Sequence, residues 1–217
     1  MWESVQIYLT DSCSFLNNLL AVVDKKYGKF FYTVYFDAYG YHVRFRFNGN
    51  LKLWYKWLNS LSYEIHYTLY DPDIIRYGAN NKIYEHFSVA TCNFIVKNRM
   101  YDTLEKRISY AIAIIDFLIQ QLEIKSIIYF KKHINFWQGS FDFLKGDSRL
   151  TDVKISQNAN YNFSEEHRKE LEQLIKGINT KNPNEICFYL IHLTLNRLSF
   201  NIKEEQKIVS YFEKYRS

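Results

Sequence analysis

The chain has 217 residues, of which 47% are hydrophobic and 18% aromatic, and its formal net charge is +5. Disordered chains are poor in aromatic residues, so this composition indicates a packed globular protein and excludes a repeat array. The basic residues are scattered among acidic ones, so the charge does not require a polyanionic partner.

The first half of the chain alternates between strand and helix patterns. Its predicted elements, in chain order, are a strand over 5–9, a helix that runs through Val23 and is closed by Gly28, strands over 30–36 and 41–47 joined by a turn, a helix over 51–61 and a strand over 63–69. Asp11 or Ser12 is predicted to cap the first helix. This half is therefore expected to be a sheet with crossover helices.

The second half is predicted to be mainly helical. Its predicted helices cover 83–96, 103–122 and 126–143, then one opens at Ser164, another at Asn182-Pro183, and the last covers 203–215. The polar segment 145–162 is predicted to be a loop. No linker divides the chain, so we predict one α+β domain over 1–217, with an N-terminal mixed or antiparallel sheet and a mainly helical C-terminal half packed on it.

The sequence also bears on location and metal binding. Cys13, Cys92 and Cys187 lie far apart and lack zinc-site spacing, so reduced thiols in a cytoplasmic protein are expected. No signal peptide and no membrane span are predicted, because the longest apolar stretch, 110–119, is shorter than the roughly 20 residues that a spanning helix needs. HExxH, glycine-rich phosphate loop and GxSxG motifs are missing, which argues against zinc, nucleotide hydrolysis and serine hydrolase chemistry.

Two clusters of polar residues lie in the first half. His42, Arg44 and Arg46 alternate along one predicted strand and therefore share one face. Such a face is often merely solvent-exposed, and the run 40–45 also resembles an RNA-recognition strand, although Arg and His occupy the polar face in place of rings. The second cluster is the segment 70–78, which could pair Asp73 with Arg76 and aim the guanidinium at an anion, or could simply stabilise a turn.

The third cluster lies on the helix that opens at Pro183. Steps of three and four place a polar stripe along it, formed by Glu185, Tyr189, His192, Asn196 and Ser199. An imidazole on such a stripe is either a surface histidine or a catalytic one. Arg197 falls off the stripe and is expected to anchor the helix.

Four features, taken in chain order, together resemble one known family. They are the strand after Trp2, the HxRxR strand, the Arg76-Tyr77-Gly78 loop and the His192-x-x-x-Asn196-Arg197 helix. It is the C-terminal elimination domain of class I lanthipeptide dehydratases, which also occurs as a separate chain in thiopeptide biosynthesis. The resemblance implies three catalytic residues: Arg44, Arg76 and His192. It implies that substrate is bound by His42, Arg46, Asp73, Tyr77, Tyr189, Asn196 and Arg197. Asp73 stands where the family usually has Glu, and Ala79 replaces a second Gly.

The implied reaction is elimination of glutamate from glutamylated Ser or Thr in a precursor peptide, which leaves dehydroalanine or dehydrobutyrine. The implied partners are the precursor peptide, with its leader and glutamylated core, and a separate tRNA-dependent glutamylation protein. No cofactor and no direct nucleic-acid binding are expected, and a homodimer is compatible with the sequence. One alternative within the family is a pyridine synthase, which joins two dehydroalanines by a formal aza-[4+2] cycloaddition and eliminates the leader peptide. A non-catalytic peptide- or RNA-binding module is the alternative outside it.

Overall fold

A computed structural model describes residues 1–23, 26–37, 39–72, 80–138, 163–178 and 182–215. The chain divides into two compact units, Met1–Asp102 and Thr103–Ser217. Every strand of the described residues belongs to the first unit, and the described elements of the second are all helices. The predicted α+β class is therefore confirmed. The assignment of 1–217 to a single domain stays a prediction.

The first unit is built around a four-stranded antiparallel sheet in the order β2-β3-β1-β4. Its elements are β1 (Glu3–Tyr8), α1 (Ser12–Val23), β2 (Phe30–Asp37), β3 (Gly40–Phe47), α2 (Leu51–Leu58), β4 (Glu64–Thr68) and α3 (Asn81–Lys97). The βαββαβ succession with this strand order is the ferredoxin-like arrangement. The predicted hairpin and crossover helices are confirmed, and the sheet is antiparallel throughout.

One face of this sheet is apolar and forms the core of the unit with α1 and α2. Phe45 of β3 is fully buried there, and its ring centroid lies 5.6 Å from that of Phe15 and 5.4 Å from that of Trp54. Because side chains alternate along a strand, burying Phe45 commits Arg44 and Arg46 to the opposite face. The packing of the aromatic core thus decides where the arginines point.

The outer edge of β2 is covered by α3. The backbone N–H of Tyr32 points to the Cys92 sulfur at 3.4 Å, and the Cys92 thiol lies 3.7 Å from the Tyr32 carbonyl oxygen. These contacts occupy backbone groups that an edge strand would otherwise leave unpaired. Cys13, Cys92 and Cys187 form no disulfide with one another; Cys92 and Cys187 are buried, and Cys13 is partly exposed.

The second unit is described as five helices: α4 (Leu104–Gln121), α5 (Ser126–Gln138), α6 (Glu165–Lys176), α7 (Pro183–Arg197) and α8 (Ile202–Tyr215). Ser164 and Asn182 cap α6 and α7 by accepting the backbone N–H groups of His167 and Glu185, as their positions predict. α8 packs on α5, and α4 packs on α7. None of the described helices is long and apolar enough to cross a membrane.

Candidate functional site

The first predicted cluster lies on the polar face of the sheet. His42, Arg44 and Arg46 share that face of β3, as the alternation predicts, and the register places Arg44 between Thr33 of β2 and Gln6 of β1. Arg44 and Arg46 are both partly buried. The arginines therefore lie on a structured surface of the sheet and are not freely solvated side chains.

The two arginines differ in how they are held. Arg46 donates from Nη1 to the Thr33 hydroxyl at 2.8 Å and to the Arg44 carbonyl at 3.1 Å. Arg44 stacks its guanidinium carbon 3.8 Å from the centroid of the Tyr35 ring. Among the described residues no carboxylate pairs with Arg44, and its buried Nε has no hydrogen-bond partner. A partly desolvated cation in this state is suited to binding an anion, because the anion would restore the lost solvation.

His42 is fully buried at 0% exposure, in contrast to a solvent-exposed strand face. Its Nδ1 lies 3.2 Å from the Gly40 carbonyl oxygen. The His42 ring lies between two tyrosines, with centroids 5.0 Å from Tyr8 and 6.0 Å from Tyr35. His42 thus supports the ring on which Arg44 stacks, and its predicted contact with substrate stays a prediction.

A contact that sequence reasoning missed ties the N-terminus to α3. Glu85 accepts the indole N–H of Trp2 at 3.0 Å and the hydroxyl of Tyr70. The Phe31 ring contacts both aromatic residues, at 4.8 Å from Trp2 and 6.2 Å from Tyr70. Burial and the hydrogen bond to Glu85 raise the pKa of Tyr70, so it remains a proton donor. This cluster fastens the chain shortly before the predicted arginine loop, whose Asp73, Arg76 and Tyr77 lie outside the described residues.

The third predicted cluster lies on α7. Four of the five predicted stripe residues lie on the less buried side of the helix, since Glu185 is exposed and Tyr189, His192 and Asn196 are partly exposed. The prediction is wrong for Ser199, which lies beyond the end of α7 at Arg197 and has a φ of 60°. Arg197 is 1% exposed. Such burial suits the anchoring role that its position off the stripe predicts, and its contact with substrate stays a prediction.

His192 is bound to a carboxylate that sequence reasoning missed. Its Nδ1 lies 2.8 Å from Oε2 of Glu205 on α8, and the histidine side chain is 26% exposed while that of Glu205 is 2% exposed. The other oxygen, Oε1, lies 2.7 Å from Nε2 of His133 and accepts the indole N–H of Trp137 at 3.0 Å. The Trp137 ring also lies 4.9 Å from the His192 ring. One buried carboxylate thus joins two histidines and a tryptophan.

The charge state of Glu205 determines the proton positions in this group. Burial alone would raise the pKa of Glu205, but the charge of His192 and the hydrogen bonds from His133 and His192 outweigh it and hold that pKa well below its ordinary value. Glu205 is therefore a carboxylate, which can only accept hydrogen bonds. Both histidines must then donate to it, His133 from Nε2 and His192 from Nδ1.

A second buried layer supports His133. The Tyr129 hydroxyl lies 3.0 Å from Nδ1 of His133. Burial raises the pKa of Tyr129 well above its ordinary value and that of the neighbouring Cys187 thiol to about 12, so both stay protonated. Tyr129 can thus donate to Nδ1 of His133, which leaves His133 its Nε2 proton for Glu205. In the part of the chain that the structure describes, no three His, Cys, Asp or Glu side chains are grouped to hold a metal ion.

Glu205→Gln is expected to make the stability of the protein less sensitive to acid. The ordinary pKa of glutamate is 4.5, and that of Glu205 is lowered by folding. The stabilisation from this carboxylate is therefore present above about pH 4.5 and is lost as the pH falls below it, by up to about 1.4 kcal/mol per pH unit. The measurement is the free energy of unfolding in urea, from about pH 6 to about pH 3, for the wild-type protein and the variant.

Glu204→Gln is the matched control for this titration. Glu204 precedes Glu205 in the same helix, is 0% exposed, and accepts the backbone N–H of Asn201 at 2.9 Å. Parallel stability curves for the wild-type protein and Glu205→Gln below about pH 4.5 would contradict the lowered pKa of Glu205.

Comparisons with known proteins agree with this combination of an antiparallel sheet unit and a helical unit. The family model of the C-terminal region of lantibiotic biosynthesis dehydratases matches residues 2–216, so the chain belongs to this family. The crystal structure of the tRNA-dependent lantibiotic dehydratase MibB from Microbispora sp. 107891 is similar in fold, with a TM-score of 0.56 and 17% sequence identity over 98% of this chain. This chain spans 27% of the MibB chain. No curated protein matches it. The family resemblance drawn from the motifs is confirmed.

Proposed function

We propose that this chain eliminates glutamate from glutamylated Ser or Thr of a ribosomally made precursor peptide and leaves dehydroalanine or dehydrobutyrine. Membership in a dehydratase family supports this chemistry. The observation that carries the proposal is the pairing of His192 with buried Glu205, 2.8 Å apart. It leaves Nε2 of a partly exposed imidazole as a base without a partner among the described residues.

The proposed reaction needs a base and a site for negative charge. Nε2 of His192 takes the α-proton of the glutamylated residue, the electrons of the Cα–H bond form the Cα=Cβ double bond, and the Cβ–O bond breaks to release glutamate as a carboxylate. Proton removal develops negative charge on the neighbouring carbonyl oxygen, which a cation or N–H donor stabilises. Both the leaving carboxylate and the free glutamate carboxylates suit arginine forks.

The arginines are proposed to supply these anion contacts. Arg44 is suited to the task because its guanidinium is partly buried and has no carboxylate partner among the described residues. Arg76 is proposed as the second catalytic arginine on the strength of the family resemblance. The proposed substrate contacts are made by His42, Arg46, Asp73, Tyr77, Tyr189, Asn196 and Arg197.

The proposal also defines the partners. The substrate is a precursor peptide that a separate tRNA-dependent glutamylation protein has already esterified. Such a protein uses aminoacyl-tRNA, which places the proposed reaction in the cytoplasm. No step of this elimination requires a redox cofactor, because the electron pair of the Cα–H bond replaces the pair that leaves with glutamate and the peptide is neither oxidised nor reduced overall.

The test is incubation of the purified chain with a glutamylated precursor peptide, followed by mass spectrometry. We expect each processed site to lose one glutamic acid and to gain a residue that adds thiols, as dehydroalanine does. An unchanged glutamylated peptide would contradict the proposal. Turnover of a dehydroalanine-containing peptide, with release of water and of the leader, would instead assign the chain to pyridine formation.

A further inference from the structure

We infer that Glu205 is a positioning residue that acts through His192, by holding the imidazole as the Nδ1–H tautomer so that Nε2 faces the substrate as the base. This inference rests on the proposed function for the identity of the reaction. It adds a residue on a different helix from His192, and the resemblance to the family assigns this residue no role.

The two carboxylate oxygens of Glu205 have different partners: Oε1 is held in place by two donors, and Oε2 contacts the imidazole of His192. Oε1 of Glu205 is occupied by His133 at 2.7 Å and by Trp137 at 3.0 Å. Oε2 receives Nδ1 of His192 at 2.8 Å. His133 and Glu205 are almost fully buried, whereas His192 is 26% exposed. Buried His133 and partly exposed Trp137 therefore hold the carboxylate so that its second oxygen meets His192, the more exposed of its two histidine partners.

The proton on His192 follows from this contact. A neutral imidazole carries one N–H, and the hydrogen bond made by one ring nitrogen decides which nitrogen bears it. A carboxylate at Nδ1 places the proton there and leaves the lone pair on Nε2. Stacking on Phe188, with ring centroids 6.3 Å apart and planes at 14°, keeps the ring in this orientation. The working nitrogen is thus selected before substrate binds.

Charge forms on His192 during turnover. When His192 accepts the α-proton it becomes an imidazolium, and the buried carboxylate at 2.8 Å stabilises that cation. The same relation holds in the serine-protease triad, where replacing the carboxylate by an amide leaves the geometry intact and lowers kcat about 10⁴-fold. Burying an ionised glutamate carries a desolvation penalty, and a role in stabilising the His192 cation explains why this penalty is tolerated.

The first experiment reads the tautomer directly in the wild-type protein. Two-bond ¹H–¹⁵N correlation spectra distinguish a protonated from a bare ring nitrogen, and the His192 signals are assigned by their loss in His192→Gln. We expect neutral His192 to carry its proton on Nδ1. A bare Nδ1 and a protonated Nε2 of His192 in the wild-type protein would overturn the inference.

The second experiment is the Glu205→Gln variant in the elimination assay. We expect kcat to fall by about 10²- to 10⁴-fold with little change in KM, because the imidazole would lose its tautomer preference and the countercharge of its cation. Glu204→Gln is the control for burial, since it removes an equally buried carboxylate from the same helix. Glu205→Asp keeps the negative charge but places the carboxylate farther from His192, because the aspartate side chain is one methylene shorter. This variant is expected to recover part of the lost rate. Wild-type kcat in a folded Glu205→Gln protein would overturn the inference.

The two proposals fail separately. If the wild-type chain does not process the glutamylated peptide, the proposed reaction is wrong, whereas the tautomer measurement still reports on Glu205 and His192. If the peptide is processed but His192 carries its proton on Nε2, the elimination stands and Glu205 is merely structural.

Discussion

His192→Gln is expected to lower the rate of glutamate elimination by about 10²- to 10⁴-fold, the range over which general acid–base groups contribute. Glutamine can still donate an amide N–H to Glu205, so the buried carboxylate keeps a hydrogen-bond donor in place of Nδ1 of His192, which lies 2.8 Å away in the wild-type protein. The amide has no basic nitrogen, so the α-proton is not removed. The product should remain the glutamylated peptide, which mass spectrometry resolves from the dehydrated one.

His86→Gln is the matched control for this loss. His86 is exposed on α3 and has no part in the proposed machinery. Peptide binding and the unfolding transition of His192→Gln are measured in parallel, and both are expected to stay close to wild type. A wild-type dehydration rate would remove His192 from the mechanism. Lost peptide binding in a folded variant would instead favour a recognition module.

The arginine face was predictable because it depends on local periodicity. Strand side chains alternate, so placing Phe45 in the core was enough to assign Arg44 and Arg46 to the other face. The strand order was not predictable, since β1 pairs with β3 and β4 across long stretches of sequence. The stacking of Arg44 on Tyr35 depends instead on the register of the β2–β3 hairpin, which pairs Arg44 with Thr33 and Tyr35 with His42.

Glu205 was missed because an acidic residue in the first turn of a helix is usually explained by the helix dipole. A signal was nevertheless present. Ile208, Val209 and Phe212 are apolar and buried, and Glu205 precedes them by three, four and seven positions, which places it on the apolar side of α8. A carboxylate on an apolar stripe requires a partner. The sequence did not reveal which histidine supplies it, because His133 and His192 lie on other helices.

The Trp2–Glu85 contact shows a different limit of sequence reasoning. The two residues are 83 positions apart in the sequence. Local sequence explains each of them without the other, because Trp2 lies beside a strand and Glu85 lies in an amphipathic helix. Their hydrogen bond depends on how α3 packs along the edge of β2. Such tertiary contacts follow from the assembled sheet and leave no periodic trace in the sequence.

Arg44→Lys is a further substitution from which a large loss is expected, and Arg76→Lys is its counterpart in the predicted arginine loop. Lysine keeps the charge of Arg44 but offers a compact ammonium in place of a planar fork, so it cannot reproduce a two-point contact with a carboxylate. Losing a hydrogen bond to a charged group costs about 1.5–3 kcal/mol. We therefore expect kcat/KM for the glutamylated peptide to fall by about 10- to 150-fold.

The structure gives a further reason for this sensitivity at Arg44. The guanidinium lies flat over Tyr35, 3.8 Å from the ring centroid, and stacking of this kind suits a planar group better than an ammonium. Arg99→Lys is the matched control, because Arg99 belongs to the same unit and pairs with Asp102 at 3.0 Å on an exposed surface. A near-normal rate in Arg44→Lys would show that only the positive charge of Arg44 matters. Equal losses in Arg44→Lys and Arg99→Lys would mean that the effect comes from stability and not from binding of the glutamate carboxylate.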